Sequence, residues 1–199
     1  MPDGVQIAFF NASAAKKYLR EIAQLRMTVF RDFPYLYDGN LAYEEKYLET
    51  YFRSPRAGVI LCQRDGEVVG ASTVIPLADE DDALKVPFAV AGFDVEEIMY
   101  FGESVLLNSC RGLGIGKAFF QERLAHARRT PGITKAAFCA VVRAPEHPLR
   151  PAAYRPLTGL WESFGFKEVP GLTCSMSWKQ IDEASESAKT LQFWLRDLP

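Results

Sequence analysis

Apolar positions recur along the first quarter of the chain with the spacing of one strand and two helices. Residues 5–10 are predicted to form the strand, and Asn11 or Ser13 is expected to cap a helix that ends before Pro34. Asn40 is expected to cap a second helix, in which tyrosines recur at intervals of four residues. The positions that define the two helices are Ala15, Leu19, Ile22, Leu25, Val29, Tyr43, Tyr47 and Tyr51.

Two valine-rich segments follow the helices. Residues 58–63 and 67–76 flank an Asp65-Gly66 turn, and this pattern predicts a β-hairpin. The acidic run at residues 79–82 interrupts the apolar pattern and is expected to be a loop.

The middle of the chain has the pattern of a β-α-β unit. Residues 98–107 are predicted to form a strand, 114–129 a helix and 134–143 a second strand. Because a helix joins these two strands, they are expected to run parallel. The sequence therefore predicts a mixed α/β or α+β layer with one parallel crossover in a sheet built otherwise from hairpins.

The last quarter of the domain begins with a short helix that ends at Gly165, a typical glycine C-cap. Strands are predicted at residues 166–169 and 172–179, divided at Pro170-Gly171. The apolar face of the short helix consists of Leu157, Leu160, Trp161 and Phe164.

The end of the chain differs from the rest. Residues 1–180 are assigned to one domain, and 181–199 to a polar linker followed by an apolar tail. The tail is expected either to dock on its own domain or to bury itself in a second copy, as a homodimer would, because large exposed apolar patches are rare on monomers. Its apolar residues are Leu191, Phe193, Trp194, Leu195 and Leu198.

Composition narrows the classes of partner. The chain has 199 residues, and its 23 basic and 25 acidic side chains leave a formal charge of −2, which disfavours nucleic acid and membrane surfaces as partners. The four cysteines form no C-x-x-C pair and are accompanied by two histidines, so neither a metal site nor a disulfide framework is expected. With no leader segment and no run of about 18 apolar residues, the sequence predicts a reduced, cytoplasmic protein.

The segment with the clearest chemistry is a glycine-rich junction between the predicted strand and helix. Gly112, Gly114 and Gly116 bring backbone N–H groups close to any ligand, and the helix start adds its positive dipole end. This pattern predicts a phosphate or pyrophosphate site. Lys117 and Phe119 stand where a G-x-G-x-x-G motif needs glycine, and Arg111 and Ala118 break the P-loop spacing.

Arg111, Gly114 and Gly116 do fit the pattern R-x-x-G-x-G. With it, the chain resembles the GCN5-related N-acetyltransferases, or GNAT proteins, and residues 160–166 (LWESFGF) resemble the Leu-Tyr-x-x-x-Gly-Phe ending of that family. The resemblance covers residues 5–180 and implies a GNAT-like α/β (α+β) fold. Its sheet would be mixed and mostly antiparallel, with helices on both faces.

The resemblance also implies a cosubstrate, acetyl-CoA, and a direct transfer of its acetyl group to a primary amine of a small molecule or peptide. The backbones of Leu106 and Leu107 would then pair with the pantetheine arm, which would lie between the two parallel strands. The residues that would surround the phosphates are Arg111, Gly112, Gly114, Ile115, Gly116 and Lys117.

The resemblance implies candidate catalytic residues as well. Glu103 is expected to act as the base or to bind the amine, with an ion-paired strand carboxylate as the alternative. Trp161 stands where the family commonly has the tyrosine that protonates the thiolate, and its position on an apolar face indicates a core residue. Tyr154, or more weakly Ser163, is expected to replace that acid, unless water protonates the thiolate.

The acceptor would lie between two loops. Tyr35 and Tyr37, in the loop between the first two helices, are candidates to bind an apolar, planar or cationic acceptor, although such rings also pin loops to a core. Arg143, with other basic residues after the second parallel strand, is a candidate to bind a carboxylate or phosphate, or is simply a surface arginine.

The leading hypothesis is therefore an acetyl-CoA-dependent N-acetyltransferase. The alternative, prompted by Trp161, is an acyl-CoA-binding regulatory module with little or no turnover. An acyl-homoserine lactone synthase, which shares the fold, is disfavoured because that family lacks the R-x-x-G-x-G turn.

Overall fold

The computed structural model describes residues 4–199, and within that range eight strands form one mixed sheet. The first three residues of the expected domain lie outside the described range. The strands are β1 (Val5–Asn11), β2 (Gly58–Arg64), β3 (Glu67–Pro76), β4 (Ile98–Tyr100), β5 (Ser104–Leu106), β6 (Lys135–Val141), β7 (Lys167–Trp178) and β8 (Ser187–Asp197). Their order is β1-β2-β3-β4-β6-β8-β7, with β5 also paired to β3. β4 and β6 form the parallel pair, and the other pairs are antiparallel, as the sequence predicted.

Helices cover both faces of the sheet. Asn11 and Asn40 cap helices as expected, since their side chains accept hydrogen bonds from the Ala14 and Tyr43 amides at 2.8 and 2.9 Å. The first predicted helix is divided by a 3-10 turn at Lys16–Tyr18. The helices are α1 (Ala12–Ala15), α2 (Leu19–Phe30), α3 (Leu41–Arg53), α4 (Asp82–Val90), α5 (Ile115–Arg129) and α6 (Thr158–Ser163).

Alternation along the strands builds a core on each side of the sheet. Leu61 packs with α2 and α3 on one face, while Ile60, its neighbour in β2, packs with α5 on the other. The sheet thus separates α2 and α3 from α5.

No helix in residues 4–199 is both long and apolar enough to span a bilayer.

The predicted strand 98–107 is in fact two short strands. β4 pairs with β6 through Tyr100, and β5 pairs only with β3. Between them the Phe101 amide still donates to Ala137, but the Gly102 amide donates to Thr73. The chain therefore keeps β3 as its neighbour on one side and loses β6 on the other after Phe101, so that β5 diverges from β6. The sequence analysis treated residues 98–107 as one strand, although Gly102, Glu103 and Ser104 interrupt the apolar pattern at the break.

The residues expected to form an appended tail form β8, which lies between β6 and β7. Leu191, Phe193 and Trp194 are buried within this sheet. The division at residue 180 is therefore corrected: residues 187–197 belong to the same sheet as the preceding chain. The apolar cluster that favoured a homodimer is accounted for by packing within the chain.

Two further differences concern local structure. A helix that the sequence analysis missed, α4, begins at Asp82, the last residue of the acidic run expected to be a loop, and it buries Leu84 and Phe88. The two strands expected on either side of Pro170-Gly171 form one strand, β7, whose register against β8 shifts between Glu168 and Thr173. The predicted break is thus an irregularity within a continuous strand.

Candidate active site

The glycine-rich junction adopts the backbone that only glycine favours. Gly112 and Gly114 have φ angles of 78° and 81°, and Gly114 is the N-cap of α5. A Cβ atom built at either position would meet no described atom within 4 Å. The two glycines are therefore needed for backbone conformation, and the space beside them is open.

This junction has the features of an anion site. The amides of Ile115, Gly116 and Lys117 are in the first turn of α5 and have no acceptor within the helix, and Gly114 offers no side-chain cap. Together with the helix dipole they give a positive potential at the open surface. The Ile115 side chain is buried, so only its backbone faces this site.

Two basic side chains flank the junction. Arg111 is half-exposed, its Nε donates to the Leu106 carbonyl at 3.3 Å, and its Nη2 lies 3.9 Å from a carboxylate oxygen of Asp32. Lys117 is exposed. Neither basic group is tied to a buried carboxylate, so both are available to an anion.

The divergence of β5 from β6 leaves the edge of β5 that faces away from β3 unpaired. The sequence analysis expected the Leu107 backbone to face this edge, and the structure corrects that expectation. The Leu107 amide donates to Val69 at 3.0 Å, and its carbonyl accepts from Cys110 at 2.9 Å, so both backbone groups are occupied. Because backbone groups alternate along a strand, those of Ser104 and Leu106 point to the edge facing away from β3. Leu106 therefore lies on the open edge together with Ser104, whereas the backbone groups of Leu107 do not face it.

A cavity of about 110 Å³ lies where β4, β5 and β6 separate. Gly102 and Glu103, from the break between β4 and β5, face Cys139 of β6 across it. Tyr43, which is 51% exposed, lies at its mouth. Its other lining residues are largely aromatic or apolar and come from α2, the loop after α2, α3, α4 and the strands β4, β7 and β8: Arg26, Phe30, Tyr35, Tyr37, Glu44, Tyr47, Leu84, Tyr100, Met176, Ser177, Trp178 and Leu191.

A buried ion-pair network lies in the wall of this cavity. Arg26 of α2 donates through Nε to Glu44 of α3, and its Nη1 lies 2.6 Å from Glu103 Oε2. The guanidinium also lies 4.2 Å from the centre of the Tyr47 ring. Within the described residues, Glu44 Oε1 and Glu103 Oε1 have no hydrogen-bond partner. Two buried carboxylates therefore share one cation and keep free oxygens.

Burial alters the proton affinity of these groups. Desolvation raises the pKa of Glu103, while the Arg26 charge partly opposes the increase. Burial also raises the pKa of Tyr35 and Tyr37, and the Glu44 carboxylate adds to the effect at Tyr37. A carboxylate with a raised pKa accepts a proton more readily at neutral pH, whereas the two phenols stay protonated.

The candidate acceptor residues have different positions. Tyr35 and Tyr37 both line the cavity. Arg143 instead donates from Nε to the Pro34 carbonyl at 2.6 Å and from Nη2 to the Tyr35 carbonyl at 3.1 Å. Trp178 Nε1 donates to the same Tyr35 carbonyl at 3.0 Å. Arg143 thus holds the tyrosine loop in place and is not among the residues that line the cavity, and its role with an acceptor carboxylate stays a prediction.

The candidate acids also lie in distinct surroundings. Trp161 is partly buried and packs against the core residues Phe138 and Trp194, with ring centres 5.1 Å apart in both cases. Tyr154 is half-buried, and its ring packs edge-on against that of Phe33, with ring centres 4.7 Å apart. Phe33 lies two residues before Tyr35 in the loop between α2 and α3. Ser163 Oγ donates to the Leu160 carbonyl of its own helix. Tyr154 does not line the cavity; it packs against the loop that also carries Tyr35 and Tyr37.

The sequence analysis missed Arg26 and Glu44 as site residues. A signal was present, because Arg26 lies four residues after Ile22 on the apolar face of α2, and Glu44 lies four before Leu48 on that of α3. Charged residues on a buried helix face need partners, and here they are partners of each other.

Among residues 4–199, no three His, Cys, Asp or Glu side chains are arranged to hold a metal ion.

Comparison with known families identifies the architecture. A sequence profile described as the acetyltransferase (GNAT) family matches residues 19–157. The chain belongs to the GNAT acetyltransferase family. The matched range contains the glycine-rich junction, the strand break and most of the cavity. No curated protein sequence matches the chain.

Solved structures show the same GNAT fold at low sequence identity. A ribosomal-protein-alanine N-acetyltransferase from Brucella melitensis is 17% identical, with 97% of this chain and 99% of that chain covered and a TM-score of 0.62. An N-acetyltransferase from Staphylococcus aureus is also 17% identical, with coverages of 98% and 99% and a TM-score of 0.61. The acetyltransferase yncA from Salmonella typhimurium, solved with acetyl-CoA, is 13% identical, with coverages of 99% and 95% and a TM-score of 0.58.

Proposed function

We propose that this GNAT protein transfers the acetyl group of acetyl-CoA directly to a primary amine of a small molecule or peptide. One arrangement carries the proposal: the uncapped amides at the start of α5, the open edge of β5 and the cavity behind Gly102 follow one another along the strand divergence. Diphosphate, pantetheine arm and acetyl group would occupy these three places in that order. The Salmonella neighbour, solved with acetyl-CoA, supports the choice of cosubstrate.

The residues at the junction would hold the cosubstrate. The backbone around Gly112, Gly114 and Gly116 would bind the diphosphate, assisted by Arg111 and Lys117. The Leu106 amide, on the unpaired edge of β5, would donate to the pantetheine amide. Acetyl-CoA supplies the activated thioester carbonyl, and the protein supplies position and proton transfer.

Glu103 would supply the base. A lysine-like amine with a pKa of about 10.4 costs roughly 4–5 kcal/mol to deprotonate at pH 7, so a positioned proton acceptor contributes strongly. Glu103 would take one proton from the bound ammonium group, and the neutral nitrogen would attack the thioester carbon. The C–N bond forms, the C–S bond breaks, and CoA departs as the thiolate.

Tyr154 would protonate that thiolate. Burial raises the pKa of its phenol, which keeps the proton available at neutral pH. The second proton lost by the amine nitrogen restores the phenol, while the proton on Glu103 passes to solvent.

The four cysteines are free in the structure, which supports a cytoplasmic location.

The alternative is an acyl-CoA-binding regulatory module. Trp161 favours it, because a partly buried tryptophan packs against the core where many family members carry the acid. The decisive experiment measures acetyl-CoA binding by calorimetry and N-acetyl product by mass spectrometry over a panel of amines and peptides. Product with any acceptor supports transfer, and tight binding without product on all of them supports the module.

A further inference from the structure

The charges and shape of the cavity narrow the class of acceptor, on the basis of the proposed transferase function. Its charged lining side chains are Arg26, Glu44 and Glu103, which leave one net negative charge when all are ionised. Arg26 is already shared between the two carboxylates. Within the described lining, no other cation is available to a carboxylate or phosphate on the acceptor.

The free carboxylate oxygens call for hydrogen-bond donors. Glu44 is fully buried and Glu103 is 5% exposed, yet Oε1 of each lacks a partner among the described residues. Buried acceptor atoms of this kind normally have partners. An ammonium group has three N–H donors and a positive charge, so it satisfies both oxygens and offsets the net charge. Water satisfies the hydrogen bonds alone.

The remaining walls suit a cation as well. The rings of Tyr35, Tyr37, Tyr43, Tyr47 and Trp178 line the same cavity as the two carboxylates. Aromatic faces attract an ammonium group and also pack against the apolar part of an amine. The volume, about 110 Å³, is below that of an engineered cavity of about 150 Å³ that admits benzene. The cavity therefore has room for a compact group rather than a folded segment.

We propose that the acceptor is a compact primary amine that enters as its ammonium cation, bound by the free oxygens of Glu44 and Glu103 and by the aromatic walls. It carries no carboxylate or phosphate beside the amine. Glu44 binds the cation, and Glu103, nearer the strand break, takes its proton. The acceptor class thus follows from side chains outside the glycine-rich motif.

Two matched pairs of probes test this class. n-Propylamine differs from 2-aminobutyrate, and n-butylamine from norvaline, only by the carboxylate, and all four are compact acceptors. We expect kcat/KM for the amine to exceed that for its amino acid by about 100-fold, since an unpaired buried carboxylate near two glutamates is strongly disfavoured. Equal or faster acetylation of the amino acid in both pairs, or of a tripeptide N-terminus over both amines, would overturn the inference.

Binding measurements with the same probes separate the proposal about the acceptor class from the proposal that the protein is a transferase. If acetyl-CoA binds but no probe is acetylated, the transferase proposal fails, and calorimetry with CoA present still decides the acceptor class. Tighter binding of both amines than of their amino acids supports the inference, and the reverse order contradicts it.

Variants locate the effect in the cavity. Glu44→Gln is expected to raise KM for the amines about tenfold with little change in kcat, because the lost contact is a charge-assisted hydrogen bond made before reaction. Glu49→Gln, on the exposed side of the same helix, is the control and should leave KM unchanged. Unchanged KM in the folded Glu44→Gln variant would count against the proposed cation site.

Tyr43→Leu offers a second variant that spares the buried network. Tyr43 is half-exposed at the mouth, so the substitution should leave the fold intact. Removing its aromatic face is expected to raise KM for the amines about threefold. A lower KM for the amino acids than for the amines in this variant would contradict the account.

Discussion

Arg26 holds Glu103 at the wall of the cavity, with Nη1 2.6 Å from Oε2. The same guanidinium is bound to Glu44, so α2, α3 and the break between β4 and β5 meet at one buried cation. The pair leaves Glu103 Oε1 free, and burial raises the pKa of this carboxyl. Glu103 is therefore both anchored and able to accept a proton.

Glu103→Gln tests the base. The variant keeps the shape of the side chain but cannot take a proton, so we expect kcat to fall by about 100-fold. The acidic limb of the kcat/KM profile should also disappear, because Glu103 must be ionised to act and its pKa is raised. Acetyl-CoA affinity is the control and should be unchanged. Full activity with an unchanged pH profile would reduce Glu103 to a structural ion-pair partner.

Gly114→Leu tests the anion site. A side chain at this φ of 81° is strained and projects into the open space where the diphosphate would lie. We expect the Kd for acetyl-CoA to rise by at least about 100-fold, with a stability loss of about 1–2 kcal/mol from backbone strain.

Gly132→Leu is the matched control for this strain. Gly132 has a φ of 82°, also meets no atom within 4 Å, and lies beyond the opposite end of α5. It should show a similar loss of stability in urea unfolding with acetyl-CoA affinity intact. Equal losses of affinity in the two variants would show that strain, not occupancy, is responsible.

The glycine-rich turn at the start of α5 and the fold class could be predicted from the sequence, whereas the strand break was not predicted. The spacing of Arg111, Gly114 and Gly116 is local, so it specifies the turn directly. After Phe101 the chain loses β6 as a partner, and the Gly102 amide donates to Thr73, about 30 residues away in β3. Gly102, Glu103 and Ser104 interrupt the apolar pattern there, but these residues alone do not specify which neighbouring strand is lost. The residue that faces the open edge was thus misassigned to Leu107.

The final strand was misread for a related reason. Residues 182–189 are polar and resemble a linker, although Ser187 already begins β8. Leu191 and Phe193 alternate with Thr190 and Gln192, which is a strand period, but their crowding drew attention to an apolar cluster. The burial of Leu191 and Phe193 depends on the neighbouring strands β6 and β7, which lie elsewhere in the sequence. The composition of residues 187–197 therefore does not reveal it.

Tyr154→Phe tests the acid. The variant keeps the ring against Phe33 but removes the proton, so we expect kcat to fall by about tenfold or more with KM nearly unchanged. Trp161→Phe is the control, because Trp161 packs against Phe138 and Trp194 in the core. It should lose about 1–2 kcal/mol of stability and retain kcat. If Tyr154→Phe is fully active, water or another group protonates the thiolate.

Glu80 gives a pH prediction that does not depend on activity. Burial raises its pKa from 4.5 to about 7, so the folded state binds its proton more tightly than the unfolded state. The neutral Glu80 carboxyl therefore contributes about 3 kcal/mol to the free energy of unfolding below pH 4.5. This contribution is lost as the pH rises from 4.5 through 7.

Glu80→Gln should remove this dependence. Relative to the wild type, the variant should therefore gain about 3 kcal/mol in the free energy of unfolding between pH 4 and pH 8. Urea unfolding at the two pH values measures the change, and Glu122→Gln, on α5, serves as a control. A constant difference between wild type and Glu80→Gln at both pH values would show that the Glu80 carboxyl has an ordinary pKa.

A crystal structure with acetyl-CoA tests the central claim most directly. We predict that the diphosphate accepts hydrogen bonds from amides in the segment 112–117, that the pantetheine arm pairs with the Leu106 amide, and that the acetyl carbon lies between Gly102 and Cys139, facing Glu103. A diphosphate bound away from the start of α5, or an acetyl group directed away from the cavity, would contradict the account.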